Sequence, residues 1–206
     1  MYEYCGLKLD TSEDVYGPAE DTLLAVEASE RCIATKPEGK GIDALDMGCG
    51  TGLIGLCMAK SAKVRSVVLA DISENAVNLA SSNIVRNGMT AKAKAVRSNL
   101  FENISGRFDI MVFNAPYLRS DESEPESEAA MLSGGSQGIE LSLEFLKQAK
   151  SHSGRCASVV LVASSLGNLI KLEREAAKLG YSEQDKLTAH YFFEDIVAFV
   201  FALRGA

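Results

Sequence analysis

The stretch that most constrains the fold is Leu45-Asp46-Met47-Gly48-Cys49-Gly50-Thr51-Gly52, which closes the apolar run Ile42–Met47 and leads into a helical pattern over Leu53–Lys60. Glycines at alternate positions let the chain turn tightly and let a ligand approach the backbone at a helix N-terminus. Such a strand–turn–helix unit commits the chain to an α/β architecture with its ligand beyond the strand ends. About 20 residues on, Asp71 ends the next apolar run, Ser66–Ala70, where a carboxylate can accept both hydroxyls of a ribose. A dinucleotide is disfavoured. Its third glycine is replaced by Leu53, and Asp46 puts an anion where a pyrophosphate would be repelled and a cationic amino acid would be welcome.

The rest of the chain alternates in kind. A lead-in over 1–17, with a short strand near Tyr2–Leu9, precedes a helix opened by Pro18, with Glu20 and Asp21 in its first turn and Leu23, Leu24, Val26, Ala28 and Ile33 as its buried face. Ser73 is the expected N-cap of a helix that Asn87-Gly88 closes. Strands are expected at 91–98, Phe108–Phe113 and Ala157–Ala163, with helices at Gly138–Lys150 and Asn168–Lys178. Lys92, Lys94 and Arg97 mark 91–98 as an edge strand. Leu187–Phe193 and Ile196–Leu203 read as a closing antiparallel pair. This alternation predicts a doubly wound, mostly parallel sheet with helices on both faces, in one domain over 1–206. Residues 1–41 would be the lead-in and a helix covering the site, and 42–206 the core.

Composition excludes several classes. No apolar run approaches the roughly 20 residues of a membrane span, and Met1–Asp10 lacks a signal-peptide pattern, so a cytoplasmic location is expected. A net charge of -7 weighs against non-specific nucleic-acid binding. The five cysteines include no Cys-x-x-Cys pair, so reduced thiols are expected rather than a zinc site or a disulfide frame. Met47, Met58 and Met111 read as core, as does Tyr191-Phe192-Phe193. His152 and His190 each stand without a nucleophile or a metal-spaced partner and carry no expected catalytic role.

Asn114-Ala115-Pro116-Tyr117 follows the buried run Phe108–Phe113. Asparagine offers an oxygen acceptor, proline stiffens the turn, and tyrosine supplies a flat wall. That set suits a trigonal NH2 group held for attack on an electrophile.

At these residues the sequence resembles a family. Leu45–Gly52 looks like motif I of the class I S-adenosylmethionine-dependent methyltransferases, and Asn114–Tyr117 is similar to their Asn-Pro-Pro-Tyr motif for amide or exocyclic amino nitrogens. Val15-Tyr16-Gly17-Pro18-Ala19-Glu20-Asp21-Thr22 and Gly134-Gly135-Ser136-Gln137-Gly138-Ile139-Glu140 resemble segments of the archaeal and eukaryotic HemK-like release-factor glutamine methyltransferases. The resemblance implies a seven-stranded Rossmann-like sheet of order 3-2-1-4-5-7-6 with the last strand antiparallel. It implies S-adenosylmethionine as cofactor, no metal, and glutamine N5 in a peptide-chain release factor as acceptor. Tyr16, Thr22, Asp46, Gly48, Cys49, Gly50, Asp71, Ile72, Asn99, Leu100 and Asn114 would then hold the cofactor. Asp46 and Gly48 would face its methionine end, Asp71 its ribose, and Asn99 and Leu100 its adenine. Asn114, the carbonyl of Ala115, Pro116 and Tyr117 would hold the acceptor amide.

Three positions depart from the pattern: Ala115 stands for proline, Asn99 for aspartate, and Leu132 where tryptophan is usual. Residues 121–128 hold five carboxylates, which would border the acceptor groove or form a solvated loop, with Arg119 beside them. Such charge favours a basic peptide over a phosphate backbone. An RNA or DNA amino-group methyltransferase (N6-adenine or N2-guanine) and a cofactor-binding subunit with weakened catalysis remain the alternatives. The family often works with a small zinc-binding activator protein along the edge strand, here 91–98, whose lysines weigh against pairing.

Overall fold

The computed structural model describes residues 1–117, 138–191 and 193–203. Arg119, the acidic run 121–128, Leu132 and Gly134–Gln137 lie outside the described residues, as do Phe192 and 204–206. Nine strands and five helices follow in order among the described residues: β1 Tyr2–Tyr4, β2 Leu7–Leu9, α1 Glu20–Thr35, β3 Ile42–Met47, α2 Leu53–Lys60, β4 Val64–Asp71, α3 Glu74–Arg86, β5 Ala93–Arg97, β6 Phe108–Asn114, α4 Glu140–His152, β7 Ser153–Ser164, α5 Leu169–Lys178, β8 Tyr181–His190 and β9 Asp195–Leu203. The strands β1 and β2 form a separate hairpin.

The other seven strands make one sheet of order β5-β4-β3-β6-β7-β9-β8. The first five are parallel, and β9 runs antiparallel between β7 and β8. This is the expected order, strand for strand, and β5 is the expected edge. The core strands are apolar on both faces because helices cover both. Alternate residues of one strand divide accordingly. Ile110 and Val112 of β6 join Leu24, Val26 and Leu56 on the side of α1, α2 and α3. Met111 and Phe113 join Phe145, Leu146 and Leu172 on the side of α4 and α5. Met47, Met58 and Met111 are in this core, as expected.

Local signals set most boundaries. Ser73 Oγ accepts from Ala76 N at 3.3 Å and caps α3, and Gly88, at φ +66, closes it. Helix α1 starts at Glu20 rather than at Pro18. Thr22 Oγ1 accepts from Ala19 N at 3.3 Å, which holds Ala19 as the extended cap and leaves Pro18 outside. Strand β8 begins at Tyr181, six residues before the expected start, because Tyr181–Lys186 pair with β9 despite their polar composition. The expected core role of Tyr191 and Phe193 is overturned: they are 40% and 86% exposed. They sit in the β8–β9 turn, closed by Tyr191 N donating to Glu194 O at 2.8 Å, beyond the paired strands.

Strand order reverses between β4 and β6 around β3, which opens a crevice at the carboxyl ends of these strands. Helix α1 packs on α2, β6, β7 and β9, and its first turn reaches that crevice.

Candidate active site

The crevice is a cavity of about 680 Å³, within the range of small-molecule sites. Of the residues expected at a site, Tyr16, Thr22, Gly48, Cys49, Gly50, Asp71, Ile72, Asn99, Leu100, Asn114, Ala115, Pro116 and Tyr117 all line it. Asp46 does not line it. His152 and His190 lie elsewhere: His152 stacks on Phe101 at 4.6 Å, and His190 pairs with Asp195 at 2.7 Å. Cys49 is buried in the turn with a thiol that burial pushes well up, so it is an inert wall.

The glycine turn is built from the backbone outward. Cys49 N donates to Ala70 O at 3.0 Å and Gly52 N to Cys49 O at 2.7 Å. Gly48 has φ +64, and a Cβ there would lie 3.0 Å from Phe113 Cε2, so the turn can press against β6 only as glycine. Asp71 is held from two sides: Gly50 N donates to Oδ2 at 3.0 Å and Ser73 N to Oδ1 at 2.9 Å.

Asp46 sits behind the turn, fully buried. Its Oδ2 accepts from Gly55 N at 2.8 Å, and its Oδ1 has no partner within the protein. Burial, with a smaller push from Asp71, raises its carboxyl to about 7 against the pull of the Gly55 N–H.

Across the cavity, Asn114 is the last residue of β6 and Tyr117 follows in the turn. Both are tied to Asp21 of α1, which is 4% exposed. Asn114 Nδ2 donates to Asp21 Oδ2 at 3.0 Å, Tyr117 OH at 3.1 Å and Tyr16 OH at 3.3 Å. Thr22 N donates to Asp21 Oδ1 at 2.6 Å. Burial and the neighbouring Asp21 push the Tyr16 hydroxyl up to about 12 and the Tyr117 hydroxyl higher still, so both remain donors at neutral pH. Asn114 Oδ1 is buried and without a partner. This hub is not legible in the sequence around Asp21. There Asp21 is a first-turn acid, and the one signal for more is its place in the Pro18–Thr22 segment. Glu194, from the β8–β9 turn, also lines the cavity with no signal in the sequence.

The charge of the lining is one-sided. Asp14, Asp21, Asp71 and Glu194 contribute carboxylates, and no Lys, Arg or His is among the described lining residues. A cationic ligand fits such walls, and a pyrophosphate does not.

Known proteins resemble this chain in the same terms. The model of the methyltransferase small domain family matches residues 27–164. A release factor glutamine methyltransferase of Agrobacterium fabrum is 37% identical over 145 residues, 66% of this chain and 50% of that protein. A Methanocaldococcus jannaschii protein, named provisionally as a protein N5-glutamine methyltransferase, is 30% identical over 199 residues, 96% of each chain. The chain therefore spans half the length of the first relative and nearly all of the second. The E. cuniculi Mtq2-Trm112 complex, responsible for methylation of the eRF1 translation termination factor, shares the fold at a TM-score of 0.64 and 20% identity, covering 93% of this chain and 99% of that one. With the glycine turn and the Asn114–Tyr117 turn facing each other across one cavity, the chain belongs to the methyltransferase small domain family, in its HemK-like class I form.

Proposed function

We propose that the chain is an S-adenosylmethionine-dependent N-methyltransferase acting on the side-chain amide of a glutamine, with a peptide-chain release factor as its substrate. The observation that carries this reading is the Asn114 side-chain oxygen. It is a buried acceptor with no partner in the protein, on a residue that lines a cavity whose other wall is the glycine turn. A buried acceptor left unmade costs about 1–3 kcal/mol, so its place is best explained by an incoming N–H donor. Relatives named as glutamine methyltransferases support the choice of amide and of protein.

The cofactor fits the residues present. Asp71 would take the ribose hydroxyls, and Asn99 and Leu100 would flank the adenine. Asp46 lies behind the turn rather than in the lining, where its carboxyl would, once ionised, add negative charge on the side of the methionine end. When bound, S-adenosylmethionine supplies an electrophilic methyl group on a sulfur that is its own leaving group. The task of the protein is then placement. An amide nitrogen is a poor nucleophile because its lone pair is delocalised. Asn114 Oδ1 and the Ala115 carbonyl would accept its two N–H protons and stabilise charge developing on nitrogen. Tyr117 would stack on the amide plane, and residues 1–41 would cover the site through Tyr16, Asp21 and Thr22. Alanine at 115 keeps the carbonyl that the chemistry uses.

The anionic lining favours a peptide over a nucleic-acid acceptor. A cytoplasmic location would follow from a release-factor substrate. A small partner subunit belongs to the same reading, since the E. cuniculi structure is of an Mtq2-Trm112 complex, and the β5 edge is where such a subunit would pair. Labelled S-adenosylmethionine, the purified chain, and either release factor or total RNA would test it. Label on one glutamine of the release factor, located by mass spectrometry, is expected. Label on RNA alone, or on neither with or without a partner subunit, would sink the proposal.

A further inference from the structure

We infer that Asp21 is a positioning residue that fixes which end of the Asn114 amide faces the acceptor, and so sets the preference for an amide over a carboxylate. The inference rests on the glutamine reading above and adds the origin of its selectivity.

The two ends of an asparagine amide are nearly identical in shape, and only partners decide its orientation. Here the deciding partner is a carboxylate, which in its ionised form accepts and never donates. Asp21 Oδ2 takes Asn114 Nδ2 at 3.0 Å. The opposite orientation would set an amide oxygen against a carboxylate oxygen. The acceptor Oδ1 is therefore turned away from Asp21, where it is buried and without a partner in the protein. Asp21 cannot rotate out of the task. Its other oxygen is engaged by both the N–H, at 2.6 Å, and the hydroxyl, at 3.2 Å, of Thr22, and two tyrosine hydroxyls converge on the same Oδ2. It is 4% exposed, so water does not compete for it.

The chemical consequence is a choice between isosteres. Glutamine presents NH2 protons to Asn114 Oδ1 and the Ala115 carbonyl. Glutamate has the same shape and presents oxygen to oxygen. If Asn114 were turned round, its NH2 would welcome glutamate instead. A site built to pair an N–H rejects an isostere that lacks it strongly, because its polar groups are left unpaired.

The test uses Asp21→Asn, which keeps shape and can donate to Asn114, and Asp21→Ala, which leaves the amide free to turn. Release factor with glutamine, or with glutamate substituted at the methylated position, serves as probe. Binding of each is measured by calorimetry with S-adenosylhomocysteine present, and turnover is measured on the glutamine form. The wild type is expected to prefer the glutamine form. Asp21→Asn should reduce that preference by about tenfold or more and lower kcat far more than it raises KM for S-adenosylmethionine. Asp21→Ala should fall between. Loss of turnover in both variants with the binding preference unchanged would overturn the inference, since a merely structural aspartate predicts that pattern. A wild type that neither methylates nor prefers the glutamine form would instead overturn the glutamine reading itself.

Discussion

The backbone N–H of Gly50 donates to Asp71 Oδ2 at 3.0 Å, so the glycine turn itself aims the carboxylate at the end of the neighbouring strand. Ser73 N holds the other oxygen at 2.9 Å and ties it to the start of α3. Asp71 thus joins two strand ends and faces the cavity, where each oxygen has further lone pairs for a ribose. Charge-assisted hydrogen bonds contribute about 1.5–3 kcal/mol each. Asp71→Ala is expected to weaken S-adenosylmethionine binding by about 10- to 100-fold, with Asp71→Asn weakened less because it keeps one acceptor. Calorimetric titration measures this directly. An affinity within a factor of about two of wild type would remove the ribose from Asp71.

Gly55 offers a case in which two effects oppose each other. It lies inside α2, where alanine normally gains about 1 kcal/mol in helix propensity. A Cβ there would sit 2.6 Å from Leu69 Cγ, and Leu69 is wholly buried in β4. The contact is with the branch point of the side chain, which cannot swing aside as a flexible end would. Overpacking of this kind costs about 1–3 kcal/mol, so the steric cost wins. Gly55→Ala should lower the urea midpoint despite the better helix former. A raised midpoint would show that the α2–β4 seam yields.

What the sequence made legible was local. The glycine turn, Asp71 and Asn114–Tyr117 each announce themselves within a few residues of a strand end, because the turn chemistry and the function sit in the same short segment. The doubly wound, mostly parallel sheet followed from the alternation of elements, and the strand order from the resemblance. Asp21 was hidden for the opposite reason: its partners Asn114 and Tyr117 lie 93 and 96 residues away, and only the docking of α1 on β6 brings them together. Asp46 was expected to face the ligand, yet it lies within β3, fully buried and outside the lining, with its Oδ2 spent on Gly55 N. The polar start of β8 was invisible because Glu183–Lys186 are four successive exposed residues, which leaves no apolar alternation to read.

Asp46 gives the fold a pH dependence with a definite sign. Its ordinary value is 3.8 and burial raises it to about 7. Between those values the folded chain keeps a proton that the unfolded chain has lost. Stability contributed by this group therefore falls as pH rises through that window and levels off above it. Asp46→Asn does not titrate and keeps an acceptor for Gly55 N. The Tm of the variant minus that of the wild type should rise between about pH 4 and pH 7, whatever the constant offset from a buried NH2. A difference independent of pH would show that Asp46 is ionised throughout.

Asn114→Ala separates placement from binding. Removing the side chain takes away the acceptor Oδ1 but leaves Asp21 Oδ2 with two donors, Tyr16 OH and Tyr117 OH. The α1–β6 junction therefore keeps its satisfied carboxylate, and the glycine turn, Asp71 and Asn99 are untouched. Loss of one preorganised group aimed at developing charge typically reduces kcat by about 10²–10³. The expected outcome is a kcat reduced on that scale, with S-adenosylmethionine affinity changed by less than about fivefold. Tyr117→Phe should show a milder loss, since the ring still walls the amide and only its donor to Asp21 is gone. Normal turnover by Asn114→Ala alongside normal cofactor binding would mean that the acceptor is held elsewhere, and the assignment of this turn to the amide would have to be abandoned.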